Sequence, residues 1–153
     1  MNTKKQLILI HAYPFLTTSK GEQVNAVFGF SVMLIQVLER FKPEYICVTF
    51  DQKGPTFRHQ EFTQYKAQRK PMDDGLASQF ERTYEVVKAF NIPIFAIPGY
   101  EADDLIGTIA TWAKSSTEID EVIIVTGDRD LLQLLDDKVK AFMPGKTFSE
   151  GSI

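Results

Sequence analysis

Apolar and polar residues follow two different periods along the chain. Short apolar runs rich in β-branched residues predict strands at residues 6–10, 45–50, 92–97, 121–125 and 139–142. Between these runs, apolar residues recur every three to four positions, which predicts helices over residues 24–41, 76–90, 102–114 and 128–135. Strands that alternate with helices predict an α/β fold: a mostly parallel sheet with helices on both faces.

The same periodicity predicts which side chains are buried. In the first helix Phe28, Leu34 and Ile35 belong to the repeating apolar positions, and in the helix over residues 102–114 Trp112 does. We expect these side chains to face the sheet. Cys47, inside an apolar strand, is expected to be a small buried residue.

The composition is that of an ordinary globular protein. The chain has 153 residues, of which 44% are hydrophobic and 24% charged, and this excludes disordered, collagen-like and disulfide-scaffold proteins. We expect one domain over residues 1–153. Its single cysteine and the lack of a signal peptide or a membrane-spanning run predict a cytoplasmic location without membrane contact. Oligomerisation is not expected.

Positive charge is concentrated in one segment, although the whole chain carries a net charge of −3. Residues 51–71 hold five basic residues against two acidic ones, with aromatic residues among them, and belong to an insertion over about residues 52–75. Basic groups bind phosphates and aromatic rings stack on unpaired bases, so this insertion could contact single-stranded nucleic acid. A solvated charged face with buried aromatic residues is the alternative. The candidate DNA-binding residues are Lys53, Arg58, Tyr65, Lys66, Arg69 and Lys70.

Six carboxylates follow three of the predicted strands. They are Asp51 after the second strand, Glu101, Asp103 and Asp104 after the third, and Asp128 and Asp130 after the fourth. Because parallel strands bring their carboxyl ends to one edge of the sheet, we expect these side chains to lie close together. Clustered carboxylates repel each other, and Mg²⁺ or Mn²⁺ relieves that repulsion. The pattern therefore favours a two-metal site for phosphodiester hydrolysis.

Other interpretations of these residues remain open. An acidic residue at the start of a helix is often only a cap for free N–H groups, and this alternative applies singly to Asp103, Asp104, Asp128 and Asp130. No glycine-rich phosphate loop follows any strand. His11 and His59 are too few and too far apart in the sequence to suggest a zinc site.

Long segments of the chain resemble a known nuclease family. The segments TFDQKGPTFRHQEFTQYKAQRKPM, IPGYEADDLIGTIA and VIIVTGDRDLLQLL, with NAVFGF in the first helix, are similar to the 5′–3′ exonuclease and flap endonuclease family, which includes the 5′-nuclease domain of bacterial DNA polymerase I. The resemblance implies a PIN-like core, two bound Mg²⁺ or Mn²⁺ ions, and removal of nucleotides and 5′ flaps from DNA. It also implies a place at the N-terminus of a DNA polymerase I.

The resemblance implies roles for individual residues. Asp51 matches the Asp of the family's F-D-x-K-G-P motif, and Lys66 matches a lysine near the scissile phosphate. Tyr65 and Arg69 match residues of an arch that clamps the single-stranded 5′ end. The implied metal ligands are Asp51, Glu101, Asp103, Asp104, Asp128 and Asp130, and the implied catalytic residues are Asp51, Lys66, Asp104 and Asp128.

The chain departs from the family pattern at two places. The family's first strand runs into an Asp-Gly pair that supplies a metal ligand, whereas here Ile10 is followed by His11. The family's C-terminal helix-hairpin-helix part is expected to be absent. Three functions follow as candidates: a metal-dependent 5′-nuclease, a catalytically impaired single-stranded-DNA-binding module, and a protein-interaction domain in which the acidic residues are only caps.

Overall fold

Strands and helices alternate along the chain in a computed structural model that describes residues 4–12, 26–51 and 74–143, without the side chains of residues 26 and 74–80. The elements are β1 (Gln6–Ala12), α1 (Ala26–Phe41), β2 (Tyr45–Phe50), α2 (Asp74–Ala89), β3 (Ile94–Phe95), α3 (Ala102–Ser115), β4 (Glu121–Val125), a 3₁₀ helix (Arg129–Leu134) and β5 (Val139–Phe142). The predicted bounds of β2, β4 and β5 are confirmed. No described helix is long and apolar enough to cross a membrane.

All strands of the described sheet run parallel, in the order β3-β2-β1-β4-β5. The predicted fold class is therefore confirmed. The chain builds one side of the sheet from β1 through β2 to β3, then crosses to the other side of β1 to add β4 and β5. This reversal of direction lies between β1 and β4, and in open parallel sheets a crevice forms there, beyond the carboxyl ends of the strands.

Two hydrophobic cores cover the two faces of the sheet. Alternate residues of β1 point to opposite faces, so that Ile8 and Ile10 lie in the core formed with α1 and α2. Leu7 and Leu9 lie in the other core, which includes Ile106 of α3. Helices therefore pack on both faces of the sheet, as predicted.

Helix α1 buries Leu34 as predicted, but it exposes two other side chains that were expected to face the sheet. Phe28 is 69% exposed and Ile35 is 44% exposed. The buried positions are at the expected helical spacing, and they are Phe30, Met33, Leu34 and Val37. Nearly every position around α1 is apolar, so the sequence period identifies the helix but not the side that packs on the sheet.

The prediction that Trp112 is a core residue is wrong, whereas burial of Cys47 is confirmed. Helix α3 packs through positions such as Ile106, Ala110 and Ala113, and Trp112 projects beside this stripe with 61% of its surface exposed. It borders a cleft of about 580 Å³ whose lining is mainly apolar.

The predicted bounds of α2 and α3 change by one or two residues, and three other elements also differ from the prediction. Strand β3 shrinks to Ile94–Phe95, because Pro93 has no N–H and contributes only its carbonyl, which accepts a hydrogen bond from Val48 N at 3.0 Å. The helix predicted at residues 128–135 is a 3₁₀ helix, Arg129–Leu134. Strand β1 continues two residues beyond Ile10, with His11 and Ala12 in register with Thr49 and Phe50 of β2.

The basic insertion lies almost wholly outside the described residues. Only residues 74–75 of the predicted insertion are described, and they begin α2. The single-domain organisation with this insertion therefore stays a prediction.

Candidate metal centre

The site is built where β1 and β4 end and α3 begins. His11 is the last residue but one of β1, Thr126 directly follows β4, and Asp103 is in the first turn of α3. The His11 side chain is buried, with its residue only 4% exposed. Its Nε2 atom lies 3.1 Å from Asp103 Oδ1, and its Nδ1 atom lies 3.1 Å from Thr126 Oγ1. His11 therefore joins the ends of two neighbouring strands to the N-terminus of α3.

Three side chains place potential metal-binding atoms close together. One ring nitrogen of His11 and one carboxylate oxygen each of Asp103 and Asp128 lie within 4.8 Å of one another. Asp103 and Asp128 are half-buried. Nitrogen and oxygen donors of these types bind divalent metal ions in proteins. The donor set therefore fits a divalent cation.

The carboxylates of the site repel one another. Burial raises the pKa of Asp103, and the nearby carboxylates of Asp128, Asp51 and Glu101 raise it further, whereas His11 acts in the opposite direction. This confirms that carboxylates following three different strands converge on one place. A bound cation stabilises the ionised form of such a cluster.

Two hydrogen bonds orient carboxylates at the start of α3. Asp51 Oδ1 accepts a hydrogen bond from Ala102 N at 2.7 Å, which ties the end of β2 to this helix. Asp104 Oδ2 accepts one from Glu101 N at 2.9 Å, within a capping box. Capping of free N–H groups, the alternative interpretation of these acidic residues, is thus observed here.

The carboxylate of Asp128 is oriented in a similar way after β4. Asp128 is the N-cap of the 3₁₀ helix, and its Oδ1 accepts a hydrogen bond from Asp130 N at 2.9 Å. Its own N–H donates to Thr126 Oγ1 at 3.0 Å. A carboxylate has two oxygens with about four acceptor positions, so capping through one position is compatible with metal binding through another. Capping fixes the direction of these groups and does not exclude the metal site.

A cleft of about 520 Å³ opens beside the cluster. Asp104 and Asp130 line it together with Glu101 and Asp103, so the structure places all four at one cavity. Arg129 also lines the cleft. It is a basic residue between two of the predicted acidic residues, and the sequence reasoning did not single it out. A guanidinium group at an acidic cleft can contact a phosphate.

The structure places the predicted site residues unequally. All six carboxylates lie at the carboxyl edge of the sheet, and His11 joins them although the sequence analysis gave it no role in metal binding. The predicted DNA-binding residues fall outside the described part of the chain: Lys53, Arg58, Tyr65, Lys66, Arg69 and Lys70. Their roles stay predictions. The position of His11 directly after the strand predicted at residues 6–10 was the available signal that it lies at the site.

Comparison with known proteins agrees with the resemblance. The chain is 48% identical over 128 residues to a DNA polymerase I of Caldicellulosiruptor bescii, an alignment that covers 84% of this chain and 15% of that protein. The chain thus spans less than a sixth of the length of this relative. Among solved structures, the phage T5 D15 protein co-crystallised with metal ions matches with a TM-score of 0.74 and 18% identity, covering 92% of this chain and 55% of that one.

A second structural match and a family profile complete the comparison. The catalytic core of Rad2 in complex with a DNA substrate matches with a TM-score of 0.59 and 19% identity, covering 95% of this chain and 45% of that one. Both structural matches show a shared fold. The profile of the family described as 5′-3′ exonuclease, N-terminal resolvase-like domain, matches residues 8–151. The chain therefore belongs to the 5′–3′ exonuclease family, as its N-terminal resolvase-like domain.

Proposed function

We propose that this chain is a divalent-metal-dependent 5′–3′ exonuclease and 5′-flap nuclease that hydrolyses DNA phosphodiesters as the N-terminal part of a DNA polymerase I. The observation that carries the proposal is the convergence of Asp51, Glu101, Asp103 and Asp128: burial raises the pKa of Asp103, and the other three carboxylates raise it further. The T5 relative was crystallised with metal ions and the Rad2 core with DNA, in line with this assignment.

The residues that would hold Mg²⁺ or Mn²⁺ are the six carboxylates Asp51, Glu101, Asp103, Asp104, Asp128 and Asp130. When bound, such ions activate a water molecule and stabilise the charge that develops on the phosphate. The chain's own contribution is to fix the carboxylates in advance. The hydrogen bonds from Ala102 N to Asp51, and from Asp130 N to Asp128, hold these groups without reorganisation during the reaction.

Arg129 is a basic residue at this otherwise acidic cleft, where a guanidinium group can contact a phosphate. The surrounding carboxylates repel a negatively charged substrate until bound cations offset their charge. We assign Lys66 and Arg69 to the stabilisation of the phosphate charge. Lys53, Arg58, Tyr65 and Lys70 are assigned to holding the single-stranded 5′ end.

One observation favours a second candidate function. Strand β1 places His11 at the site, where the resemblance leads us to expect a carboxylate. If the donor set is insufficient for catalysis, the chain is a single-stranded-DNA-binding module that lacks the first metal-binding Asp. The two candidates differ in cleavage and agree in DNA binding.

The deciding experiment is cleavage of a 5′-labelled flap DNA by this chain in Mn²⁺, with EDTA as the metal-free condition. We expect cleavage only with the metal, and a loss of roughly 100-fold or more in Asp104→Asn, which retains an oxygen to cap Glu101 N. Asp137→Asn is the matched control, because Asp137 is exposed at the opposite edge of the sheet, just before β5.

Three outcomes separate the candidates. Cleavage that persists in EDTA, or that is unchanged by Asp104→Asn, contradicts a metal-dependent nuclease. Salt-sensitive DNA binding without cleavage in any divalent metal supports the binding module. Absence of both DNA binding and metal binding contradicts both candidates and favours the interaction domain.

A further inference from the structure

We propose that His11 is a nitrogen ligand in the metal centre and that it shifts the selectivity of this centre from Mg²⁺ towards first-row transition-metal ions such as Mn²⁺ and Zn²⁺. The inference rests on the metal dependence proposed above and specifies which ions the site takes. It concerns this chain's own donor set, of which His11 is the one nitrogen donor among the described residues grouped there.

Position and burial direct the imidazole into the site. His11 pairs in register with Thr49 of β2 at the carboxyl end of β1, and it lies on the same sheet face as Leu7 and Leu9, the face that α3 covers. With 4% of its surface exposed, the residue is held by packing from all sides. Its Nε2 atom is directed at Asp103, 3.1 Å from Oδ1.

The spacing of the donor atoms fits one shared ion. Atoms of His11, Asp103 and Asp128 lie within 4.8 Å of one another. Two ligands of one metal ion, each about 2.1 Å from it, are separated by at most roughly 4.2 Å, so small side-chain rotations bring these atoms into range. A set of one imidazole and two carboxylates suits Mn²⁺ or Zn²⁺, whereas Mg²⁺ prefers oxygen donors alone.

Thr126 provides the outer contact that a metal-binding histidine needs. Its Oγ1 atom lies 3.1 Å from His11 Nδ1 and accepts a hydrogen bond from Asp128 N at 3.0 Å. With Nδ1–H donating to this hydroxyl oxygen, the lone pair of Nε2 is available to a metal. A hydroxyl both donates and accepts, so the same residue also supports the opposite tautomer, in which Nε2–H donates to Asp103. The imidazole can therefore change from a partner of Asp103 to a metal ligand without leaving its place.

Binding of Mn²⁺ to the chain, followed by electron paramagnetic resonance, tests the proposal without reference to cleavage. Pulsed measurements detect the magnetic coupling of bound Mn²⁺ to a ligand ¹⁴N nucleus. We expect this coupling in the natural chain and its loss in His11→Asp, which substitutes an oxygen donor for the nitrogen. We also expect the ratio of Mn²⁺ to Mg²⁺ affinity to fall about tenfold in His11→Asp.

The chain offers a matched control, because its sequence has only two histidines. His59→Asn should retain the ¹⁴N coupling and the affinity ratio. His11→Asn, which keeps a polar side chain of smaller size, serves as a second variant if His11→Asp does not fold, and it should also lose the coupling.

The failure of this inference is distinguishable from the failure of the proposed function. Mn²⁺ that binds without ¹⁴N coupling, or with coupling unchanged in both His11 variants, overturns the role of His11 and leaves metal dependence standing. An increase in Mn²⁺ affinity on replacing His11 by Asn overturns it too, because His11 then competes with the ion as a partner of Asp103. A chain that binds no Mn²⁺ overturns both.

Discussion

Replacing Asp128 with Asn should stabilise the metal-free protein and remove its stabilisation by metal. The substitution keeps an oxygen in the position that accepts the hydrogen bond from Asp130 N, and Asn is as good an N-cap as Asp. It removes a negative charge that lies close to Asp103, because one carboxylate oxygen of each residue lies within 4.8 Å of the other. The variant therefore changes the charge of the cluster and little else.

The size of the effect follows from that separation. Two negative charges 4.8 Å apart, the upper limit of this separation, repel by about 0.9 kcal/mol in a water-like dielectric and by about 3.5 kcal/mol at an effective dielectric constant of 20. Since both carboxylates are half-buried, we expect Asp128→Asn to raise the free energy of unfolding by about 1 kcal/mol without metal, or roughly 2–4 °C in Tm. A ligand at about 100 times its Kd stabilises by about 2.7 kcal/mol, so in Mn²⁺ the natural chain should be the more stable one.

Urea unfolding of the natural chain and of Asp128→Asn, in EDTA and in Mn²⁺, measures which of the two is more stable in each solution. Asp136→Asn is the matched control, because hydrogen bonds from Lys114, Val139 N and Lys138 N hold the pKa of Asp136 at about 2, so that its charge stabilises the fold. That variant should be less stable than the natural chain in both solutions. An Asp128→Asn protein that is less stable in EDTA, or that gains as much stability from Mn²⁺ as the natural chain does, would refute the reasoning.

Three further predictions concern parts of the fold away from the cluster or beside it. Burial raises the pKa of the Cys47 thiol to about 12, so an aromatic disulfide reagent at neutral pH should label it only as fast as the protein unfolds, and rapid labelling of the native protein would contradict this. Gly99 has φ +88°, so Gly99→Ala should lower the free energy of unfolding by about 1 kcal/mol, whereas Gly107→Ala, inside α3 with open space around its added Cβ, should raise it by about 0.5–1 kcal/mol; chemical denaturation that gives both the same sign would refute this. Burial alone would raise the pKa of Glu121, but hydrogen bonds from Lys140 and Gln6 outweigh it and hold that pKa below 4.5. The stability it contributes is thus present above about pH 4.5 and lost as the pH falls through the lowered value, and Glu121→Gln should flatten the fall of stability in that range.

The sheet was predictable because its strands are short apolar runs with clear ends. The bounds of β4 and β5 match the prediction, since acidic residues and turn residues flank both runs. The buried side of α1 was not predictable, because the helix has apolar residues on nearly all of its sides. Which side is buried depends on how the helix packs on the sheet. The exposure of Trp112 was not predictable either, because α3 buries the small residues Ala110 and Ala113 beside it instead.

The parts of the site that follow the ends of strands were predictable. The parts that depend on side-chain contacts between distant residues were not. The carboxylates follow strands, and parallel pairing brings strand ends together, so their convergence could be inferred. The role of His11 depends on two extra residues of β1 and on contacts with Asp103 and Thr126, residues far away in the sequence. Two histidines far apart in the sequence did not indicate this role, because the partners of His11 are a carboxylate and a hydroxyl and not a second histidine.

The central position of β1 has a consequence for how the protein folds. Strand β1 pairs with β4, and a hydrogen bond joins Gln6 to Glu121, which are 115 positions apart in the sequence. Contacts of such long range slow folding, because the entropy of closing the long loop between them is lost before the contacts form. During synthesis, at about 5–20 residues per second, the edge of β1 that pairs with β4 stays unpaired until β4 has left the ribosome. His11, near the end of β1, can meet Thr126 only after β4 has been made, so the candidate metal centre cannot form during synthesis before that point.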